Sequence, residues 1–284
     1  MRLFLYIVIC LIWGTTWIAI KIGLSQAPPL YTSSLRFILA VLLLALIVQV
    51  KKYSYPGNWK DFLRLGYPGL YMYGVSYALI YFSELYIDSA LAAIVFASFP
   101  FFVALFSWLI LKKEKLKSLE WLGLLMGLVG VVLISVDSLH SARDIFLGTL
   151  LALGGTGAAA YGMLLHKEKF SDANIYITAT VQMLCGGVLL ILPAVFFEDW
   201  SSIHFTFETV GSIIYLAIFG SVIAFLAYYW LLARSRAITV ALIAFMTPLV
   251  AIFVGVIFFQ EKLSLLIGLG TVLILSGILL VERR

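Results

Sequence analysis

Apolar residues run along this chain in long stretches, and polar residues gather in the short gaps between them. A helix crosses a bilayer with about 20 apolar residues. Ten windows reach or approach that length: 3–20, 31–50, 65–83, 89–111, 119–136, 146–165, 175–197, 210–232, 237–259 and 264–281. The pattern predicts an all-α polytopic membrane protein of ten transmembrane helices. The gaps leave no room for a soluble domain, so residues 1–284 read as one membrane domain. The start, MRLFLYIVICLIWGTTWIAIKIG, has the hydropathy of a secretory signal but no small-residue cleavage site. Nine spans follow it, and it reads as an uncleaved first helix.

Composition and charge sharpen this reading. Of the 284 residues 63% are hydrophobic and 12% charged, too few charges to cover a soluble surface. With the N-terminus in the cytoplasm, fifteen of the 19 Lys and Arg residues fall in cytoplasmic segments. Three (Lys21, Arg143 and Lys262) lie outside, and Arg36 lies within a span. This bias predicts an inner (plasma) membrane protein with both termini inside. It also explains the net charge of +5 without a nucleic-acid partner, since no stretch has a nucleic-acid-binding pattern.

The chain repeats itself. Residues 96–116, FASFPFFVALFSWLILKKEKL, and 244–263, AFMTPLVAIFVGVIFFQEKL, each set a proline inside an apolar run and close on Glu-Lys-Leu. Gly123 then matches Gly270, Gly130 matches Gly277, Lys21 matches Lys167, and Arg36 matches Gln182. The halves, 1–140 and 141–284, hold five spans each, so the second enters the membrane upside down relative to the first. Inverted repeats are a feature of transporters that alternate access to a central site. A proline within a helix opens the carbonyl four residues back, which lipid cannot satisfy. Pro100 and Pro248 therefore read as bends on opposite sides of one central cavity. The alternative is that both are ordinary kinks. Gly123, Gly127 and Gly130 in the fifth span and Gly268, Gly270 and Gly277 in the tenth read as close-packing faces, with a homodimer contact through these two helices as a further expectation.

Ten spans in two halves, Trp13-Gly14, Arg36-Phe37, and a proline followed by Glu-Lys-Leu in each half together resemble the EamA family of the drug/metabolite transporter superfamily. The second half departs from the pattern with Tyr161-Gly162 near the place of Trp-Gly and Gln182 in place of Arg36. The resemblance implies a basket of helices around a central cavity and export of amino acids or other small metabolites.

The residues suggest a lining for that cavity. Tyr73, Tyr77 and Tyr81 recur every four positions and share a helical face, which Glu84 continues outward. Phe225 and Tyr229 stand where Tyr77 and Tyr81 stand in the other half, Trp13 and Trp17 share a face of the first span, and Tyr161 adds a ring in the sixth. Phe96 and Phe245, just upstream of the two prolines, complete the candidate substrate contacts. Interfacial aromatic belts are the competing explanation; they account for Tyr31, Tyr53, Tyr86 and Trp200, but not for tyrosines near mid-span. Arg36 is expected to pair with Glu84 or Asp88 as an architectural ion pair, with a substrate carboxylate as its other reading.

Other chemistries find little support. His140, His166 and His204 are read as loop residues in no metal or triad pattern, Cys10 and Cys185 lack metal-ligand spacing, and no phosphate loop occurs. The expectation is no enzyme, no cofactor and no metal, with a small-molecule substrate and the lipid bilayer as partners. A sugar-phosphate or nucleotide-sugar exchanger, or a lipid flippase, are the rival functions. Of the fourteen acids only Glu84 comes near the aromatic face. The reading is a facilitator for neutral or zwitterionic metabolites, with any proton coupling resting on Glu84.

Overall fold

The computed structural model describes residues 1–87, 89–110, 116–136, 145–250 and 265–282. Glu114, Lys115 and Glu261 to Leu263, the ends of the two repeated motifs, lie outside these residues, as do Asp88 and residues 251–259 of the ninth window. All regular structure among the described residues is helical. Ten helical paths follow the ten windows. They are α1 (Arg2–Leu24), α2 (Pro29–Val50), α3 (Trp59–Gly69) continued through a π-helical stretch (Leu70–Val75) into α4 (Ser76–Ser83), α5 (Ser89–Phe96) with α6 (Phe99–Ile110), and α7 (Ser118–Val136). Then come α8 (Ile145–Phe170), α9 (Ile175–Phe197), α10 (Phe207–Tyr215) continued through a second π-helical stretch (Leu216–Ile223) into α11 (Ala224–Arg234), α12 (Ala237–Ala241) with α13 (243–250), and α14 (Leu265–Glu282). Among the described residues, five stretches are long and apolar enough to cross a bilayer: Arg2–Leu24, Pro29–Val50, Phe146–Phe170, Ile175–Phe197 and Phe207–Arg234.

Outward faces stay apolar, with Leu3, Ile7, Leu11 and Ile18 exposed on α1 and Ile38, Leu42 and Leu46 on α2. Hydrocarbon is the solvent such faces require. Helix starts are set by short-range chemistry. Asn58 caps α3 through Asp61 N–H, Asn174 caps α9 through Tyr176 and Ile177, and Thr206 caps α10 through Thr209. Pro28 supplies no such cap to α2. Glu198, at the far end of α9, fills the gap: its carboxylate accepts the Leu30 and Tyr31 N–H groups, both at 2.9 Å. Glu198→Ala is expected to destabilise the fold by about 1 kcal/mol, the usual worth of a helix cap. The checking measurement is the melting midpoint in detergent; an unchanged midpoint would show that water replaces the carboxylate without cost.

Two close contacts set the packing. The fifth and tenth paths meet through glycine: a Cβ on Gly123 would stand 2.6 Å from Gly277 O, and one on Gly130 2.6 Å from Gly270 O. The close-approach surface of these residues is therefore filled from within the chain, and any homodimer through α7 and α14 would have to use their outer sides. The second contact joins the third path to α9, where Gly69 lies against the Gln182 backbone and Gly186 against Tyr73 and Gly69 O.

Both repeated prolines sit just beyond helix interruptions. Residues 97 and 98 form a turn between α5 and α6, and Leu242 one between α12 and α13. Pro100 occupies the first turn of α6, where its missing N–H has no intrahelical partner to lose. Pro248 lies deeper and deprives the Ala244 carbonyl of its usual donor; the Thr247 hydroxyl takes that carbonyl at 3.0 Å. Near Pro100 the Ser98 hydroxyl donates to Val95 O at 2.6 Å, a carbonyl that the Ser98 N–H also reaches at 3.0 Å. In the second half a hydroxyl beside the proline thus compensates the broken ladder.

Candidate functional site

The two π-helical stretches occupy related places, because the register that sets Tyr77 against Phe225 sets 70–75 against 218–223. A π-helix widens the turn and leaves backbone groups for outside partners, often at functional sites. In the second half the partner is Arg36. Its Nε donates to Ser221 Oγ at 2.8 Å and its Nη2 to Gly220 O at 3.0 Å. Trp13 Nε1 reaches the same Gly220 carbonyl at 3.3 Å. Glycine suits this close approach, since a Cβ would sit 3.0 Å from both Arg36 Nη2 and Thr16 Cγ2, which would have to give way.

In the first half Gln182, the repeat counterpart of Arg36, reaches α3 just before the π-helical stretch. Its amide donates to Leu65 O at 3.1 Å and accepts from Tyr229 Oη at 2.6 Å. Tyr229 in turn lies 2.7 Å from Tyr73 Oη. His166 approaches the same amide at 3.3 Å and packs its ring 4.3 Å from that of Tyr229. His166 is thus a buried residue of α8, not a loop residue; the helix continues past the apolar window drawn for it, through the polar stretch His166 to Lys169.

Between these clusters lies a cavity of about 80 Å³. Trp13, Thr16, Trp17 and Ile20 line it from α1, Arg36 from α2, and Met72, Ser76, Tyr77 and Ile80 from the third path. Phe96 and Phe99 come from the two sides of the α5–α6 break, and Ala159 from α8. Phe225 and Tyr228 face it from α11, with Val240, Ala241, Ile243, Ala244 and Thr247 around the α12–α13 break. Both halves contribute. Trp13 packs on Phe225 and Tyr228 at 5.1 and 5.2 Å, and Trp17 on Phe96 at 5.6 Å, so the wall is aromatic and largely fixed.

Of the residues singled out in the sequence, Trp13, Trp17, Arg36, Tyr77, Phe96 and Phe225 meet at this cavity. Tyr73, Tyr81 and Tyr229 do not line it. Their rings follow Tyr77 and Phe225 in series, with Tyr73 and Tyr81 6.4 and 6.2 Å from Tyr77, but all three are fully buried. Tyr161 packs against Tyr71 and Phe106 instead, at 5.0 and 5.8 Å. Phe245 points away, into the space Gly127 leaves on α7. Pro100 and Pro248 stand behind the lining, which their neighbours Phe99 and Thr247 provide. Thr16, Ser76, Thr247 and the small residues Ala159, Ala241 and Ala244 gave no sequence signal, since nothing distinguishes them from other small residues of a membrane helix.

The expected Arg36–Glu84 ion pair is absent. Arg36 turns toward the π-helical stretch of the other half, where the Gly220 carbonyl and the Ser221 hydroxyl accept from two of its N–H groups. Glu84 accepts from Ser89 Oγ at 2.7 Å, and the cation beside it is Lys21, whose Nζ donates to the Glu84 carbonyl at 3.4 Å. The other partner considered for Arg36, Asp88, lies outside the described residues. Cys10 and Cys185 are free thiols, and no group of three or more metal-ligating side chains occurs among the described residues.

A solved crystal structure superposes with a TM-score of 0.81 over 99% of this chain and 96% of its own, at 17% identity, which shows the shared fold. An uncharacterized transporter of Bacillus subtilis (strain 168), YoaV, is 29% identical over 283 residues, covering 95% of this chain and 92% of its own. The uncharacterized inner membrane transporter YedA of Escherichia coli (strain K12) is 27% identical over 272 residues, 95% and 87% of the two chains. Protein PagO of Salmonella typhimurium is 25% identical over 253 residues, 87% and 82%. The profile of the EamA-like transporter family matches residues 1–136 and 146–283, nearly the full length. With both halves matched, this membrane protein belongs to the EamA-like transporter family.

Proposed function

We propose that this protein moves amino acids or similar small metabolites through the central cavity by alternating access of two inverted halves. The observation that carries the reading is a single cavity lined from both halves and bordered by the interrupted paths α5–α6 and α12–α13. Breaks in paired helices beside a shared site are where a rocking motion exposes that site first to one side and then to the other. The lining offers flat aromatic faces, three small hydroxyls and one cation, which suits a small amphipathic solute.

Counterflow in proteoliposomes with a panel of amino acids, sugars and cationic dyes tests the reading. Trp13→Ala and Tyr77→Ala each remove a lining ring and are expected to weaken substrate by roughly 1–2 kcal/mol, the scale of an aromatic contact. Buried Leu124→Ala, on α7, is the packing control. Normal exchange by both ring variants at limiting substrate would reduce the aromatic wall to packing.

The positive-inside bias supports the cytoplasmic membrane with both termini inside. A single cysteine at Ser202 should label from outside, and one at Ser118 only after permeabilisation; external labelling at Ser118 would reverse the orientation. The same bilayers, loaded with a pH dye, address coupling. Transport down the gradient is the expectation, and substrate-dependent proton flux that survives Glu84→Gln would show a carrier group elsewhere.

A further inference from the structure

Arg36 is only 1% exposed, yet it lines the central cavity. A guanidinium has five N–H donors. Two are used here, one by Ser221 Oγ and one by Gly220 O, and both acceptors are neutral. Tyr77 and Phe37 present ring faces 4.8 and 5.3 Å from Cζ, which eases the burial of charge without cancelling it. Nη1 is buried and has no hydrogen-bond partner. The Tyr81 phenol also neighbours the guanidinium, and among the described residues no carboxylate stands within ion-pair distance of Arg36. An uncompensated cation at membrane depth is costly, and it is retained where it serves a function.

Architecture alone does not require that charge. At the matching position of the other half, Gln182 carries a neutral amide that donates to Leu65 O of α3 across the interface between the halves. What distinguishes position 36 is a positive charge with unused donors at the wall of the cavity. Arg36 is also the only charged residue in the described lining. One planar fork carrying a single charge matches a carboxylate, the monoanion it can bind through two parallel hydrogen bonds.

We propose that Arg36 anchors the carboxylate of the transported molecule, so that the cavity takes amino acids and other small monocarboxylic acids in preference to the corresponding amides and amines. The aromatic wall formed by Trp13, Tyr77 and Phe225 receives the remainder of the solute. This rests on the transport reading above and names its substrate class.

The test uses matched pairs: L-alanine with L-alaninamide, L-leucine with L-leucinamide, and L-phenylalanine with L-phenylalaninamide. In counterflow the wild-type protein is expected to exchange at least one acid about tenfold or more faster than its amide, the scale of a lost charge-assisted hydrogen bond. Arg36→Gln keeps an amide able to reach Gly220 O, as Gln182 reaches Leu65 O, while removing the charge; its acid-to-amide ratio should fall to near one. Arg36→Lys, which keeps the charge but not the fork, should fall between. Equal exchange of acids and amides by the wild type would leave transport standing and overturn the anchor, as would an undiminished ratio in Arg36→Gln. Binding is read separately, as the rise in melting midpoint of the detergent-solubilised protein on adding each compound. If no pair exchanges, the transport reading fails by itself: a rise given by acids alone and lost in Arg36→Gln still upholds the anchor, and a wild type raised equally by acids and amides, or by neither, overturns it.

Discussion

Gly69→Ala is expected to leave little folded protein in detergent extracts of the membrane. The Cβ would stand 2.6 Å from both the Cα and the carbonyl carbon of Gln182, with the carbonyl oxygen closer still. These are backbone atoms in the middle of α9, so no rotamer change relieves the overlap. The third path would have to move bodily away from α9. That movement would pull Gly186 from Tyr73 and break the Gln182 bonds to Leu65 and Tyr229. Overpacking commonly costs about 1–3 kcal/mol and more where backbone must shift; here about 3 kcal/mol or more is expected. Folded yield and melting midpoint are the measurements. Gly57→Ala, with open space around its Cβ, is the control and should behave as wild type. A Gly69→Ala protein with a normal midpoint would mean that the two helices pack less closely than described.

A functional loss with folding left intact is expected from Ala159→Leu. Ala159 is a small residue of α8 on the cavity wall, facing a space of about 80 Å³. A leucine side chain there occupies room the solute needs. Exchange at limiting substrate should fall about tenfold or more, the equivalent of some 1.4 kcal/mol of lost binding. Folded yield should change little, because the added carbons enter open space and not a filled core. Val188→Leu, which adds bulk on an exposed face of α9, should exchange normally. Full activity in Ala159→Leu would place the solute path elsewhere.

The two outcomes depend on information of different kinds. Gly69 gives no signal in the sequence beyond being one glycine among 22. Only the approach of α9 makes it irreplaceable. Most glycines of the fifth and tenth spans were legible as a packing face because they recur at helical spacing in both halves, and Gly123 meets Gly277 as that spacing suggests; Gly268, read with them, instead faces open space. Trp13, Trp17, Tyr77 and Phe225 were legible because large amphipathic rings near mid-span have few other reasons to be there. Tyr73, Tyr81 and Tyr229 carried the same signal and proved to be sealed. Their hydroxyl environments are interior: Tyr73 and Tyr229 satisfy each other at 2.7 Å. Helical spacing puts a residue on a face but does not say how far along that face an opening extends.

Hydropathy alone determined the ten helical paths, since a bilayer admits helices only where some 20 residues are apolar and every backbone group finds a partner within its own segment. The doubled proline motif likewise announced where two of those helices would be interrupted. The tertiary structure decided the rest, above all the partner of Arg36. From the sequence, the nearest acids along the outer ends of the helices were the natural choice, because opposite charges attract and intramembrane cations are usually paired. In the fold, α2 sets Arg36 beside a π-helical stretch of the other half, where Gly220 O and Ser221 Oγ are available at hydrogen-bonding distance. A widened helical turn leaves no mark in composition or periodicity, and which carbonyl it frees depends on the helices packed around it.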